Sequence, residues 1–553
     1  MPQKLTYNLN IEYLKKIGNP INTYGSKYQK EYLDKFVIFD KEELKPHLEK
    51  EKKKRRYSKE HLFVIFSYSL ELIEVFYEVY GKKNPSIIVF PSKDFLYTFL
   101  HKFDIRNILH SKSMIVTGNI GDVCSAFQVG LRGIKTFVYA PIDLYDGLIQ
   151  QSMNEIHTYM SHMKTNVNTM SILGKLMCYN QFTNLKEYVK YPTIKTIKDA
   201  AKGKPVICIA AGKSIMENIE YLKKIQKHVY IVACISIYKT LIQHGINPDL
   251  ATVLDMNNVV TKYLDGEDMV CPIVFDLNAA PKILDIKSDF ISSFAADTSN
   301  NYMIDVFNEH NVDYETLPMS FTVAFLSINI ANYMGASEII LLGQDLAYSV
   351  GKSHADGCAL TYDIDIIRKD GVEWLKLKDE LTECVRVNNW NNDGTVPTTR
   401  LFLSYRTQLE VFAKQYKIIN STEGGSRIDN TEHITLKKAY SKYIKDNKTQ
   451  KEQLYKPLTA EYQYSELHAS LVETWSRILK EIEALTYTDT KALNKYVTDN
   501  NSFMKLSKIY MHSHYYLFNY FGLKGCDQET INKICHKAIL ETARFVNTML
   551  DKH

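Results

Sequence analysis

Between Pro205 and Asp345 the chain repeats one pattern: a short apolar run, an abrupt polar residue, then a helix-forming stretch. PVICIA (205–210) runs into AGKS (211–214) and IMENIEYLKKIQ. VYIVACI (229–235) ends at Ser236, and the helical stretch after it stops at His244-Gly245. NPDLATVLD (247–255) ends in Asp255-Met256-Asn257, PIVFD (272–276) in Asp276, and the run Ile339–Leu342 in Gly343-Gln344-Asp345. Apolar runs without alternation belong to strands buried on both faces. Their alternation with helices implies a mostly parallel sheet covered on both sides. Ligands of such a sheet bind outside the carboxyl ends of its strands. Gly212, Ser214, Ser236, Asp255, Asn257, Asp276, Gln344 and Asp345 are therefore predicted to line one cleft built from several loops.

Two helix boundaries are legible. Ser214 and Glu217 have the S-x-x-E spacing of a capping box. SFTVAFLSINIANYMG (320–335) is apolar nearly all round and predicts a buried helix, with Ser320 as N-cap and Gly335 as stop. AGKS at a strand-to-helix turn suits an anion. It is not a P-loop, because the required earlier glycine is Ile207; the second GKS (351–353) has Leu346 in that place. Asp345 is a candidate base or an orienting carboxylate. Tyr348, His354 and Asp356 crowd the loop behind it, which makes His354 a candidate for proton transfer. No standard metal-ligand spacing is present.

The flanks read differently. LFVIF (62–66), a helix over 69–80, SIIVF (86–90), SMIVTG (113–118) and KTFVYA (135–140) predict a Rossmann-like region. Its first turn, Ser67-Tyr68-Ser69, lacks the glycines that a dinucleotide needs. The run KEELKPHLEKEKKKRRYSKE (41–60) reads as a solvated surface helix or linker. Beyond residue 431 the pattern is helical: Leu467, Leu471, Trp475, Ile478, Ile482 and Leu485 form one face, and Ile531, Ile534, Ile539, Ala543 and Val546 another. Tyr515, Tyr516, Phe518, Tyr520 and Phe521 are either bundle core or a surface for a protein partner. The predicted fold class is α/β, with a Rossmann-like N-terminal domain (1–194), a central doubly wound α/β domain (195–430) and a C-terminal helical domain (431–553). A net charge of +5 over 553 residues argues against a nucleic-acid binder. Nine scattered cysteines, no apolar leader and no apolar segment long enough to span a bilayer predict a cytoplasmic protein with reduced thiols.

CIAAGKSIMENIEYLKK, INPDLATVLD, the buried helix before GASEIILLGQDLAYSVGKSHADG, and NSTEGGSRI (420–428) occur in one order over about 200 residues. Together they resemble the motility accessory factor (Maf) family, whose central domain is also described as similar to hydroxymethylpterin diphosphokinases and to bacterial sialyltransferases. The sialyltransferases carry G-x-G-P-S where this chain has Ala210–Ser214, without the first Gly and the Pro. Ser320 matches the Ser of their Thr-Ser-Gly, and Gly343-Gln344-Asp345 matches their Gly-x-Asp. The resemblance implies a flagellin O-glycosyltransferase. Its donor would be a CMP-activated nonulosonic acid or related keto-sugar acid, transferred to Ser or Thr of flagellin with inversion and without a required metal or other cofactor. The AGKS turn, Ser320 and Tyr348 would stabilise the departing phosphate, and Asp345 or His354 would act as base. The alternatives are a non-catalytic flagellin chaperone or assembly factor, and a pterin diphosphokinase-like enzyme.

Overall fold

A computed structural model describes residues 2–16, 27–35, 40–54, 61–66, 69–81, 86–90, 92–109, 113–117, 135–139, 172–264, 269–296, 301–320, 322–348, 351–359, 361–369, 371–377, 380–446, 451, 454, 464–511 and 528–552. The Ser67-Tyr68 turn and the aromatic run from Tyr515 to Phe521 lie outside them. The chain divides into two compact units, Met1–Val167 with His514–Ile531, and Asn168–Ser513 with Asn532–His553.

In the first unit four parallel strands, β1 (His61–Phe66), β2 (Ser86–Phe90), β3 (Ser113–Thr117) and β4 (Lys135–Tyr139), take the order β3-β2-β1-β4. The helix Leu70–Tyr80 is capped by Ser69, whose hydroxyl accepts from Leu72 N. It buries Leu72, Ile73, Phe76 and Tyr80. The charged run folds as a helix over Lys41–Lys54. It buries Leu44 and Leu48 and pairs Lys41 with Glu74 and Lys45 with Glu78 at the surface.

The second unit holds a nine-stranded sheet in which every pairing is parallel. In chain order its strands are β5 (Val206–Ile209), β6 (Tyr230–Cys234), β7 (Leu250–Val253), β8 (Ile273–Asp276), β9 (Phe290–Ala295), β10 (Thr316–Leu317), β11 (Ile339–Leu342), β18 (Ile418–Asn420) and β19 (Glu432–His433). In space the order is β10-β9-β8-β7-β6-β5-β11-β18-β19. Alternate residues feed two cores, because successive side chains of a strand point to opposite faces. Val206, Cys208, Val232 and Leu341 pack with Leu326, Ile330 and Met334 of the helix Val323–Tyr333. Ile207, Ile209, Ile231 and Leu342 pack with Ile219, Leu222 and Leu241 of the helices Ile215–Ile225 and Ile235–Gln243.

Residues 351–398 insert two antiparallel sheets between β11 and β18. One joins β12 (Gly351–Lys352), β13 (Asp363–Lys369), β14 (Val372–Leu377) and β15 (Glu380–Glu383). The other pairs β16 (Val385–Asn388) with β17 (Thr395–Thr398). The helix Tyr464–Ala484 buries Leu467, Leu471, Trp475, Ile478 and Ile482, and Ile539, Ala543 and Val546 of the helix Gln528–Leu550 are buried as well. Both helices belong mainly to the second unit: Trp475 Nε1 donates to Tyr302 OH at 2.7 Å. Among the described residues no helix is long and apolar enough to cross a membrane.

Both predicted helix caps are corrected. The buried helix begins at Val323, and Thr322, in extended backbone, accepts from Phe325 N. Ser320 precedes the cap and instead accepts from Asn329 Nδ2 at 3.0 Å. Ser214 has helical dihedrals and makes no side-chain capping bond, so the S-x-x-E box does not form. Gly335 does stop its helix, at φ +78°, the left-handed conformation that glycine adopts without strain.

Candidate functional site

The strand order reverses direction between β5 and β11, and the turns that follow these two strands meet. Gly212 N donates to Gly343 O at 2.9 Å, and Ala210 N to Leu342 O at 2.9 Å. The approach is so close that a Cβ on Gly212 would lie 2.4 Å from both Asp345 Oδ1 and Gly343 O, and one on Gly343 would lie 2.2 Å from Ala210 O. This is the switch point of a doubly wound sheet, the place where such folds bind ligands.

Asp345 turns back into that junction. Its Oδ2 accepts from Ser214 N at 3.1 Å, its Oδ1 accepts from the Ser214 hydroxyl, and Lys213 N donates to it as well. The carboxylate thus fastens the turn that enters the helix Ile215–Ile225, from a residue 131 positions away in sequence, while the first-turn N–H groups of Ile215, Met216 and Glu217 bond Gly212 O, Lys213 O and Ser214 O. Burial lifts its pKa, opposed by the bonds from Ser214 and Lys213. The anion-binding turn predicted at AGKS is already filled by the chain's own carboxylate.

A third segment closes around the pair. Ser426 donates to Asp345 O through its N–H at 2.7 Å and through its hydroxyl at 3.1 Å. Gly425, at φ +72°, lies against Asp345, where a Cβ would come 2.3 Å from the Asp345 carbonyl oxygen; a Cβ on Gly424 would meet Ser214 Cβ at 2.8 Å. The sequence reading used NSTEGGSRI only as part of a resemblance and assigned no role to Gly424, Gly425 or Ser426. The adjacent glycines before a serine were the available signal.

The other predicted residues spread along the same edge. Ser236 lies half-buried in the first turn of the helix Ile235–Gln243, whose N-cap Cys234 gives no side-chain bond. Asp255 Oδ1 accepts from the exposed Asn257 at its backbone N, 2.9 Å away. Tyr263, after β7, has its phenol pKa pushed up to about 12, mainly by burial and then by the neighbouring Asp255, Cys358 and Tyr362. Gln344 is 9% exposed.

The loop carrying His354 crosses this edge. Ala355 N donates to Ala211 O at 2.9 Å, and Thr240 Oγ1 donates to Asp356 O at 3.2 Å. His354 is half-buried, with Nδ1 2.9 Å from Ser353 Oγ and its ring edge-on to Tyr362. Burial lowers its pKa, which keeps the imidazole neutral and able to take a proton. Ser353 Oγ in turn accepts from Tyr362 N at 3.1 Å.

Two strand-end or loop residues are structural. Tyr348 does not reach out toward a phosphate: it stacks on Phe402 at 4.8 Å, packs with Ile364 and Leu375, and bonds Thr399. Asp276 is fully buried and accepts from Ala295 N, Asn278 N and Asn278 Nδ2. It ties β8 to β9 and contributes nothing to the edge. Among the described residues no three His, Cys, Asp or Glu side chains gather as metal ligands would.

No curated protein matches the chain at the sequence level. Residues 179–351 match the family model "6-hydroxymethylpterin diphosphokinase MptE-like". Among solved structures, the Maf glycosyltransferase from Magnetospirillum magneticum AMB-1 is similar over 100% of this chain and 96% of its own, with a TM-score of 0.51 and 14% identity. The chain thus shares a fold with the Maf glycosyltransferase over 96% of that protein's length, and its residues 179–351 match the MptE-like family model.

Proposed function

We propose that the protein is a glycosyltransferase that moves a nonulosonic acid, or a related keto-sugar acid, from a CMP-activated donor to Ser or Thr of flagellin. The observation that carries this reading is likeness of fold over the full length of a Maf glycosyltransferase, joined to a polar edge at the switch point. His354 is the base: with its Nδ1–H given to Ser353 Oγ, Nε2 holds the lone pair that takes the acceptor's proton. Asp345 is a positioning residue, because its oxygens are engaged by Ser214 and Lys213. The departing CMP phosphate rests on the first-turn N–H groups and Ser236 of the helix Ile235–Gln243, whose N-cap residue Cys234 makes no side-chain cap bond. Gln344 donates to the sugar carboxylate, and Tyr263 and Tyr362 flank the donor beside Asp255. No step requires a metal, since the leaving group carries one phosphate rather than a diphosphate and the helix end offsets much of its charge.

The test is intact mass spectrometry of flagellin co-expressed with the protein in cells that make CMP-activated keto-sugar acids. Mass increments of one sugar acid, absent with His354→Ala, are expected. Unmodified flagellin in the presence of a verified donor pool overturns the reading. The match over residues 179–351 supports a second reading, a diphosphokinase acting on a hydroxymethylpterin. That activity would release AMP from ATP in the presence of Mg²⁺ and the pterin, and a coupled AMP assay reads it directly.

A further inference from the structure

His433 ends the edge strand β19, five residues beyond Ile428, and its ring binds both ends of the segment that closes around Asp345. Nε2 lies 3.3 Å from Ile428 N, which can only donate. It also lies 3.3 Å from Asn420 Nδ2. The orientation of the Asn420 amide is settled by its other atom, because Oδ1 accepts from Thr422 N at 3.1 Å. Nδ1 faces Thr431 O at 3.2 Å, which can only accept. Backbone groups on both sides therefore require one protonation state: the proton on Nδ1, and a lone pair on Nε2 that receives two N–H donors.

The segment held in this way is the one that reaches the site. Between Asn420 and Ile428 lie Gly424 against Ser214, Gly425 against Asp345, and Ser426 with two bonds to Asp345 O. Trp390, edge-on to His433 at 5.8 Å, ties the same segment from the insertion, donating Nε1–H to Asn420 O and N–H to Gly425 O.

We infer that His433 is a positioning residue, a clasp that holds the 420–428 segment over the Asp345–Ser214 junction only while its imidazole is neutral. A second proton can enter only at Nε2, where it would meet Ile428 N–H and the Asn420 amide, so protonation breaks both bonds at once. The charges near the ring are few. Arg427 disfavours protonation and the exposed Asp429 favours it. Glu432, next to it on β19, is taken up by Lys442 and the Tyr443 hydroxyl. Burial first, and Arg427 after it, lower the pKa, opposed by the bond to Thr431 and by Asp429. The sign follows: a histidine whose folded pKa lies below its unfolded value contributes stability that is complete above about pH 6.5 and is lost as pH falls through the folded value.

The placement of this clasp beside the reacting groups rests on the glycosyltransferase reading, but its behaviour does not, so it is tested by structure first. Amide hydrogen exchange of the full-length protein, corrected for intrinsic rates, is compared at about pH 7.5 and about pH 5. Protection of Ser426 N–H and Ile428 N–H should fall about tenfold or more at the lower pH. His433→Gln supplies an amide oxygen in place of Nε2 and should hold protection within about twofold across that range. His433→Leu should show low protection at both. Protection that is flat with pH in the natural protein, or that falls equally in His433→Gln, overturns the clasp. Sugar transfer measured in parallel separates the two proposals. A pH-dependent clasp without transfer leaves the clasp standing and removes the proposed function, whereas transfer without pH-dependent protection does the reverse.

Discussion

At the scale of single residues, the junction of Asp345 and Ser214 is where function and stability share atoms. Asp345→Ala removes the acceptor of the Ser214 N–H and hydroxyl at the entry to the helix Ile215–Ile225. We expect a loss of about 1–3 kcal/mol, from buried donors left unpaired. It should appear as a lower urea midpoint with an unchanged slope. Loss of transfer in that variant would therefore not identify a base, whereas loss in His354→Ala with an unchanged midpoint would. Asp276 makes a pH-dependent claim. Burial pushes its pKa up to about 6. A folded pKa above the unfolded value means that stability is complete below about pH 4 and falls as pH rises through about 6, by about 3 kcal/mol for a gap of roughly two units. Urea unfolding at stepped pH should show that slope, and Asp276→Asn should flatten it. The strand-end positions of Ser214, Asp276 and Asp345 were all legible in the sequence, since apolar runs stop there. Their pairings were not, because Asp345 bonds a residue 131 positions away and no local pattern encodes that distance.

At the scale of elements, two comparisons separate a working cap or turn from its neighbour. Thr322→Ala should cost about 1 kcal/mol by removing the bond to Phe325 N, whereas Ser320→Ala leaves that helix end untouched. Gly343 and Gly371 both have positive φ, +65° and +77°. An added Cβ would strike the Ala210 carbonyl at Gly343 and meet nothing within 4 Å at Gly371. Gly371→Ala should cost about 1 kcal/mol from backbone strain alone, and Gly343→Ala considerably more, read by thermal unfolding. The central strands were readable because they are buried without a break, and the helix Tyr464–Ala484 because its buried residues recur at spacings of three and four. The insertion of 351–398 was not read as strands. Residues on β13, β15 and β16 are largely exposed, so hydrophobic alternation is weak where charged cross-strand pairs such as Arg386 with Glu373 cover the surface. The confusion of Ser320 with Thr322 has a simple cause: both are hydroxyl residues just before the helix start at Val323, and only the backbone angle at Thr322 selects it.

At the scale of the whole molecule, the helical C-terminal part is not a detachable docking arm for the sheet domain. Trp475 is fully buried and bonds Tyr302, and Lys505 pairs with Asp305 at 2.8 Å, both partners on the helix Tyr302–Glu309. A chain ending at Asp446 should lose the cooperative thermal transition of the second unit rather than partner binding alone, which calorimetry would show. The nine-stranded sheet has a further consequence in time. β5 is made first and ends up in the interior, with β6 to β10 laid down on one side and β11, β18 and β19 on the other. The junction needs Ser214, Asp345 and Ser426 together, over separations of 131 and 81 residues. Contacts so distant are slow to form, and each helix can coil before any of them exists. A nascent chain that has not yet released Ser426 from the ribosome exposes β11 as a bare sheet edge, open to pairing with the wrong neighbour. Competence of the cleft is thus a late event in the life of each molecule, and a probe of the cleft doubles as a probe of completed synthesis and folding.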